Sequence, residues 1–67
     1  MTFAVGQRVR TRLSARPGYA RGRAGIVHMR RSGEVYSVRF RACDLWGEDA
    51  GDHDVILELW ETDLERA

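Results

Sequence analysis

The 67-residue sequence contains a single cysteine, a single proline and no lysine. One cysteine cannot form an internal disulfide, which excludes the disulfide-stapled domains of small secreted proteins and favours a reducing environment. No apolar run approaches the ~20 residues that a membrane-spanning helix needs. The N-terminal residues also lack the apolar stretch of a secretory signal. We therefore expect one small cytoplasmic domain that occupies residues 1–67.

The short length limits what the domain can do alone. A chain of this size buries only ~60% of the surface that it exposes when unfolded. Domains this small often depend on disulfides, metals or partner chains for part of their stability. A complete enzyme with a deep pocket and its own set of catalytic residues is therefore not expected.

The charges are divided unevenly along the chain, although the formal net charge is only +1. Ten arginines and a single acid, Glu34, precede position 42, whereas nine acids and one arginine, Arg66, follow it. Such asymmetry indicates either a charged partner or pairing between the two halves when they fold together. The exclusive use of arginine suits bidentate recognition of oxyanions. A GC-rich genome explains the same bias without a functional role, and we favour that explanation.

Alternation of apolar and polar residues with a period of two predicts β-strands at 7–13, 25–29, 35–40 and 55–60. Glycine-containing segments at 14–25, 31–34 and 44–54 predict loops or turns, and residues 60–64 a closing helical or 3-10 turn. Four or five short strands indicate an all-β fold, a small partly open barrel, because a flat sheet would leave its edges exposed. The residues expected to share buried faces include Val9, Thr11 and Leu13 in the first strand and Tyr36, Val38 and Phe40 in the third.

Few residues could bind a metal or act as a nucleophile. Cys43, His28 and His53 lack the C-x2-C or H-x3–5-H spacing of a zinc site. The acids of residues 44–54 lack the order of an EF-hand loop. We therefore expect this chain to bind no metal or other cofactor. Cys43 has no neighbouring base and is expected to be a buried or partly buried structural thiol.

The strongest local feature is the segment RPGYARGRAG at residues 16–25, which we name the arginine loop. It places three arginines beside Tyr19 and three glycines. Glycines allow a backbone to approach a ligand closely, and arginines offer paired N–H donors to phosphate, carboxylate or sulfur oxyanions. The loop is therefore a candidate anion-binding site, and a solvated basic loop is the alternative.

Residues 5–30, VGQRVRTRLSARPGYARGRAGIVHMR, resemble a KOW module, the short RNA-binding motif of ribosomal proteins and transcription factors. The resemblance implies an SH3-like barrel and an RNA partner. The pattern largely encodes strand–turn–strand geometry, and it predicts nothing beyond about position 30.

Nearly the whole chain is similar to the C-terminal SH3-like domain of the nitrile hydratase β subunit and to the related subunit of thiocyanate hydrolase. The similarity rests on VGQRVRTR at 5–12, PGYARGRAGIV at 17–27, VYSVRFRACDLWGEDA at 35–50 and LELWETDLE at 57–65. The family shows a Tyr-x-Val-x-Phe strand, then Leu-Trp-Gly-Glu, and later a Trp-Glu pair. The residues that fill these places in order are Tyr36, Val38, Phe40, Leu45, Trp46, Gly47, Glu48, Trp60 and Glu61. This broader similarity makes a nucleic-acid partner the weaker expectation.

Two departures from the family modify what the resemblance implies. The family carries a longer loop where this chain has residues 28–34, and a helical N-terminal half that this chain lacks. The resemblance therefore implies a stand-alone small subunit of a multi-subunit nitrile hydratase. Its expected partners are the α subunit and a helical subunit that resembles the N-terminal half of the β subunit. A small activator or maturation protein related to the β subunit is the alternative.

The resemblance also implies a chemistry and a set of site residues. In the family, the α subunit holds non-corrin cobalt or non-haem iron through cysteines that include sulfenic and sulfinic acids, and the enzyme adds water to a nitrile to give the amide. The Tyr-x-Arg-Gly-Arg-x-Gly stretch implies that Arg21 hydrogen-bonds the oxidised cysteine oxygens, with Arg23 as the second candidate. Tyr19 is expected at a subunit interface, and Trp46 and Trp60 in the barrel core or at an interface. The isolated chain is not expected to be catalytic.

Overall fold

The computed structural model describes residues 2–67, which fold mainly into β-structure. The five strands are β1 (Arg8–Thr11), β2 (Ala24–Arg30), β3 (Val35–Arg41), β4 (Asp54–Trp60) and β5 (Leu64–Arg66). One short helix, α1 (Ala42–Trp46), follows β3, and 3-10 turns occupy Gly18–Ala20, Glu48–Ala50 and Glu61–Asp63. The predicted all-β class and the 3-10 turn near the C-terminus are confirmed.

The strands form a single antiparallel sheet in the order β4–β3–β2–β1–β5. The last strand returns to pair with the first, and Leu64 lies opposite Thr11. At the other edge, β4 pairs with β3 along its whole length, beginning with Trp60 opposite Val35. No strand pairing joins β4 to β5 within residues 2–67, so the sheet is consistent with a small, partly open barrel.

One face of the sheet carries the hydrophobic core. Tyr36, Val38 and Phe40 alternate along β3 and are each at most 2% exposed, which confirms their prediction as core residues. The Tyr36 ring meets the ring of Phe3 edge to face, with 5.7 Å between centroids, and the Phe3 backbone N–H donates to the Tyr36 hydroxyl at 3.2 Å. These contacts hold the N-terminal segment against the core. The core cluster consists of Phe3, Val9, Ala20, Val27, Tyr36, Val38, Phe40, Leu45, Leu59 and Leu64.

The prediction that Leu13 shares the buried face of the first strand is wrong, because the residue is 80% exposed. The strand ends at Thr11, and the Ala15 N–H donates to the Arg12 carbonyl at 3.1 Å. This bond closes a turn in which Leu13 occupies a central position. Apolar and polar residues continue to alternate after Thr11, where the strand ends. The alternation therefore predicts a strand longer than the observed one.

The loop prediction for residues 44–54 is also wrong in part. The chain forms α1 and the Glu48–Ala50 turn before β4 begins. Leu45 anchors the helix by burying its side chain, which is 4% exposed, in the core. A helix of five residues is too short for its periodicity to be detected in a sequence, and it is tertiary packing that stabilises it.

The two oppositely charged halves of the chain pair with each other. Each of three ion pairs joins an arginine before position 42 to an acid after it: Arg12–Glu65 at 3.5 Å, Arg31–Glu58 at 3.2 Å and Arg41–Asp44 at 3.5 Å. All six side chains are at least 45% exposed, so each pair contributes only about 0–1 kcal/mol. Part of the charge asymmetry is therefore explained by folding alone. In the part of the chain that the structure describes, no helix has the length and apolar character to cross a membrane.

Candidate functional site

The arginine loop connects β1 to β2. Two backbone hydrogen bonds join its C-terminal part to Thr11, the last residue of β1. The Thr11 N–H donates to the Arg23 carbonyl at 3.0 Å, and the Gly22 N–H donates to the Thr11 carbonyl at 2.8 Å. Gly22 has φ +72°, a left-handed conformation that glycine adopts without steric cost. Ala20, within the 3-10 turn of the loop, is fully buried. The base and the turn are therefore held in place, and the arginines project from a defined backbone.

Arg21 is held in one orientation by the residue that precedes the arginine loop. Its Nε donates a 2.7 Å hydrogen bond to the Ala15 carbonyl oxygen. The guanidinium lies over Gly18, where an added Cβ would be 3.7 Å from Cζ and 3.8 Å from Nη1. Arg21 is exposed, and its two terminal nitrogens have no hydrogen-bond or ion-pair partner among residues 2–67. An oriented guanidinium with two unused donor groups can bind an external oxyanion.

Helix α1 brings an aromatic side chain to the arginine loop. Tyr19 and Trp46 lie with their ring centroids 5.4 Å apart and their planes tilted by 42°. Their exposed fractions are 43% and 51%. Half-exposed tyrosine, tryptophan and arginine side chains are the residue types that dominate protein interfaces. We name Tyr19, Arg21 and Trp46 the loop–helix patch.

The other two predicted site residues lie elsewhere. Arg23 lines a separate depression of about 430 Å³, together with Arg41 and Cys43. Trp60 pairs with Val35 at the start of β3, whereas Trp46 follows the end of that strand. A strand of this length spans about 20 Å, so the two tryptophans occupy different regions of the surface.

The alternative that placed the tryptophans in the barrel core is wrong, because Trp46 is 51% and Trp60 56% exposed. In β4, Leu59 turns inward, with 1% exposure, and the partly buried Val55 and Leu57 pack against the core with it. The side chains of adjacent residues in a strand point to opposite faces, which directs Trp60 outward. The interface assignment of Tyr19, Trp46 and Trp60 stays a prediction.

The described residues offer no set of donors for a metal ion. A cobalt or iron ion needs several nitrogen, sulfur or oxygen donors that converge on one point. Residues 2–67 contain no group of three or more His, Cys, Asp or Glu side chains placed to do so. Cys43 is a free, partly buried cysteine, as predicted.

Sequence reasoning missed a second basic site, on the outer face of the sheet. Arg8, Arg39 and Arg41 come together there with Arg23 around two adjoining depressions. The signal was present in the alternation of arginine with apolar residues in β1 and β3. The sequence does not show that β1 and β3 lie on either side of β2, and this strand order is what brings their arginines to one site.

Two similar proteins are both named nitrile hydratase subunit beta. The protein from Rhodococcus erythropolis is 36% identical over 90 aligned positions, which cover 98% of this chain and 42% of that protein. The protein from Pseudomonas chlororaphis is 33% identical over 69 positions, which cover 76% of this chain and 31% of that protein. The chain thus spans less than half the length of either relative. The Rhodococcus alignment is longer than the chain itself, so that relative carries inserted residues. No family model matches the chain.

Proposed function

We propose that this chain, which belongs to the nitrile hydratase β-subunit family, is a small subunit of a multi-subunit nitrile hydratase. The observation that carries the proposal is the similarity to the Rhodococcus erythropolis protein along 98% of the chain. The five-stranded barrel is consistent with the SH3-like domain that the sequence motifs imply. The reaction of the complete enzyme is the addition of water to a nitrile to give an amide.

The proposed complex contains two further kinds of subunit. An α subunit holds the metal, and a helical subunit replaces the N-terminal half of the β subunit. The support is the name of both relatives, nitrile hydratase subunit beta, because a β subunit works with at least one other kind of subunit.

In this proposal Arg21 is a positioning residue at the interface with the α subunit. Cobalt or iron on that subunit would supply a Lewis acid for the hydration of the nitrile. The terminal nitrogens of Arg21 would donate to the oxygens of the oxidised cysteines of that subunit. Its Nε remains bound to the Ala15 carbonyl, so the guanidinium meets those oxygens already oriented. Charge-assisted hydrogen bonds from a rigid fork are stronger and more directional than those from a single ammonium group.

The aromatic members of the loop–helix patch belong to the same proposed interface. Tyr19, two residues before Arg21, contacts Trp46, and both rings expose about half of their surface. We propose that the α subunit covers both rings, which excludes water from the guanidinium and strengthens its hydrogen bonds. Trp60, at the other end of the sheet, would contact a different subunit surface.

The decisive experiment replaces Arg21 by lysine in the assembled complex. Arg21→Lys keeps the positive charge but removes both the fork and the bond from Nε to Ala15. We expect the complex to assemble, kcat to fall about 100-fold, and the absorption bands of the metal centre to shift. Arg16→Lys is the matched control, because Arg16 is an exposed residue of the same loop. Wild-type kcat and an unchanged spectrum in Arg21→Lys would show that Arg21 has no such role.

An activator or maturation protein related to the β subunit is the second candidate. The two functions differ in the composition of the active enzyme. A subunit is present in equal amounts with the α subunit in the purified enzyme, whereas an activator binds transiently and is absent. Quantitative mass spectrometry of the active fraction separates them.

A further inference from the structure

A basic groove crosses the outer face of the sheet, opposite the core. It consists of two depressions, of about 320 and 430 Å³, that share Arg8, Ala24, Arg41 and Asp44. Arg39 lines the first and Arg23 the second. We name Arg8, Arg23, Arg39 and Arg41, with the floor between them, the basic groove. It is distinct from the loop–helix patch, because neither Arg21 nor the two aromatic rings line it.

Strand register sets the spacing of the arginines. Arg8 on β1 and Arg39 on β3 both lie opposite Ile26 on the central strand β2. Adjacent strands are about 4.8 Å apart, so the two Cα atoms are roughly 10 Å apart across the groove. Arg41 projects from the same face two residues after Arg39, about 7 Å along the strand. Ala24, which also lines the groove, is short enough to leave a depression between the long side chains.

Most of the positive charge in the groove is not neutralised by the chain itself. Arg8, Arg23 and Arg39 have no ion pair or side-chain hydrogen bond within residues 2–67. Arg41 contacts Asp44 at 3.5 Å, and both side chains are largely exposed. The carboxylate of Asp54 lines the groove, next to Arg41 in the strand register. Four guanidiniums against two carboxylates leave a site that attracts anions.

We infer that the basic groove binds an extended acidic segment of a partner subunit, with carboxylates at alternate positions. In an extended peptide, side chains two residues apart lie about 7 Å apart on one face. This spacing matches that of Arg39 and Arg41, and Arg8, which lies level with Arg39 across β2, adds a second guanidinium for the carboxylate at Arg39. Arginine forms bidentate hydrogen bonds with carboxylates. The assignment of this segment to a partner subunit rests on the proposed function. The preference for carboxylates at alternate positions rests on the groove alone.

The surroundings of the groove favour a peptide over a nucleic acid. Ile26 and Ile56 flank Arg39 on the neighbouring strands, and Ile56 is 44% exposed. Both can contact the Cβ groups of the side chains that a bound peptide directs toward the sheet. Asp44 and Asp54 line the groove beside its arginines, where they would repel the uninterrupted charge of a phosphodiester backbone. A short acidic segment can avoid them.

The test is a titration of the full 67-residue chain, labelled with nitrogen-15, followed by NMR at low ionic strength. The probe is a synthetic peptide GDVDVDG, capped at both ends. One control peptide, GNVNVNG, replaces the acids by neutral amides, and another, GDDDVVG, keeps the composition but makes the acids contiguous. We expect saturable shifts at groove amides with GDVDVDG, binding about fivefold weaker with GDDDVVG, and no saturable shifts with GNVNVNG.

Variants assign the binding to the groove. Arg8→Gln and Arg39→Gln each remove one unpaired guanidinium and should weaken binding of GDVDVDG about fivefold. Arg16→Gln removes the same charge outside the groove and should leave binding unchanged. Circular dichroism checks that each variant is folded.

Three outcomes would overturn the inference. Equal affinity for the alternate and contiguous peptides, or an equal loss in Arg16→Gln, would show that only net charge attracts the peptide. Tighter binding of a single-stranded RNA of the same length would identify the groove as a nucleic-acid site. The titration involves neither the α subunit nor activity, so its failure would leave the proposed function and the Arg21→Lys experiment untouched.

Discussion

At the scale of single residues, the eleven arginines of this chain differ in how many of their donor groups are bound within the chain. Some are bound within the chain, such as Arg30, whose Nε and Nη2 donate to the Ser32 and Gly33 carbonyls. Arg21 uses one donor internally and leaves its other nitrogens exposed. Arg8 and Arg39 have no such partner in residues 2–67. Functional proposals follow from these environments, since every guanidinium has the same intrinsic chemistry.

Thr11 gives a residue-scale prediction about stability. It is 1% exposed, and its hydroxyl oxygen has no hydrogen-bond partner in the described chain. Thr11→Val replaces the hydroxyl by a methyl group of similar size, so we expect the free energy of unfolding to rise by about 1 kcal/mol. Urea denaturation measures the change. Thr62→Val, at an exposed position, is the control and should have little effect; a loss of stability in Thr11→Val would contradict the prediction.

At the scale of elements, the close packing of β2 against β3 explains why position 25 is a glycine. A Cβ at Gly25 would lie 2.8 Å from Val38 Cγ1, 2.9 Å from the Arg39 carbonyl oxygen and 2.9 Å from Phe40 Cδ1. The backbone oxygen cannot move without disturbing the strand. The requirement is therefore steric and belongs to the barrel, which accounts for a glycine there without any ligand.

Gly25→Ala tests this packing. We expect it to lower the free energy of unfolding by about 1–3 kcal/mol, because the added methyl group overpacks the core side of the sheet. Gly33→Ala is the matched control, since no atom lies within 4 Å of its added Cβ. Thermal and urea denaturation of both variants would measure the difference. Equal stability of the two would show that β2 and β3 can separate enough to admit the methyl group.

At the scale of the whole molecule, seven large apolar side chains of residues 2–67 are exposed. Those at least 42% exposed are Val5, Leu13, Tyr19, Met29, Trp46, Ile56 and Trp60. Tyr19 and Trp46 belong to the loop–helix patch, whereas Ile56 and Trp60 lie on β4. Exposed apolar groups that cluster in this way mark interaction surfaces, which agrees with the proposed place of this chain in a complex.

Tryptophan fluorescence gives the prediction at this scale. Both tryptophans are about half exposed in the free chain, so its emission should lie at the long wavelengths typical of solvated indole. Assembly with the proposed subunits should shift the emission to shorter wavelength as the rings are covered. Trp60→Phe reports on Trp46 alone, and Trp46→Phe on Trp60. An unchanged spectrum in both variants after assembly would remove the interface assignment.

Local patterns in the sequence were enough to predict the all-β class, the alternating core of β3 and the similarity to the nitrile hydratase β subunit. They succeed because the strand period of two and short family motifs are properties of neighbouring residues. The end of β1 before Leu13, the outward turn of both tryptophans and the formation of α1 depend on contacts between residues far apart in the chain. The basic groove depends on strand order and register, which bring Arg8 and Arg39 to either side of Ile26. Periodicity shows which residues share a face of a strand, and only long-range pairing decides which strands, and so which charges, become neighbours.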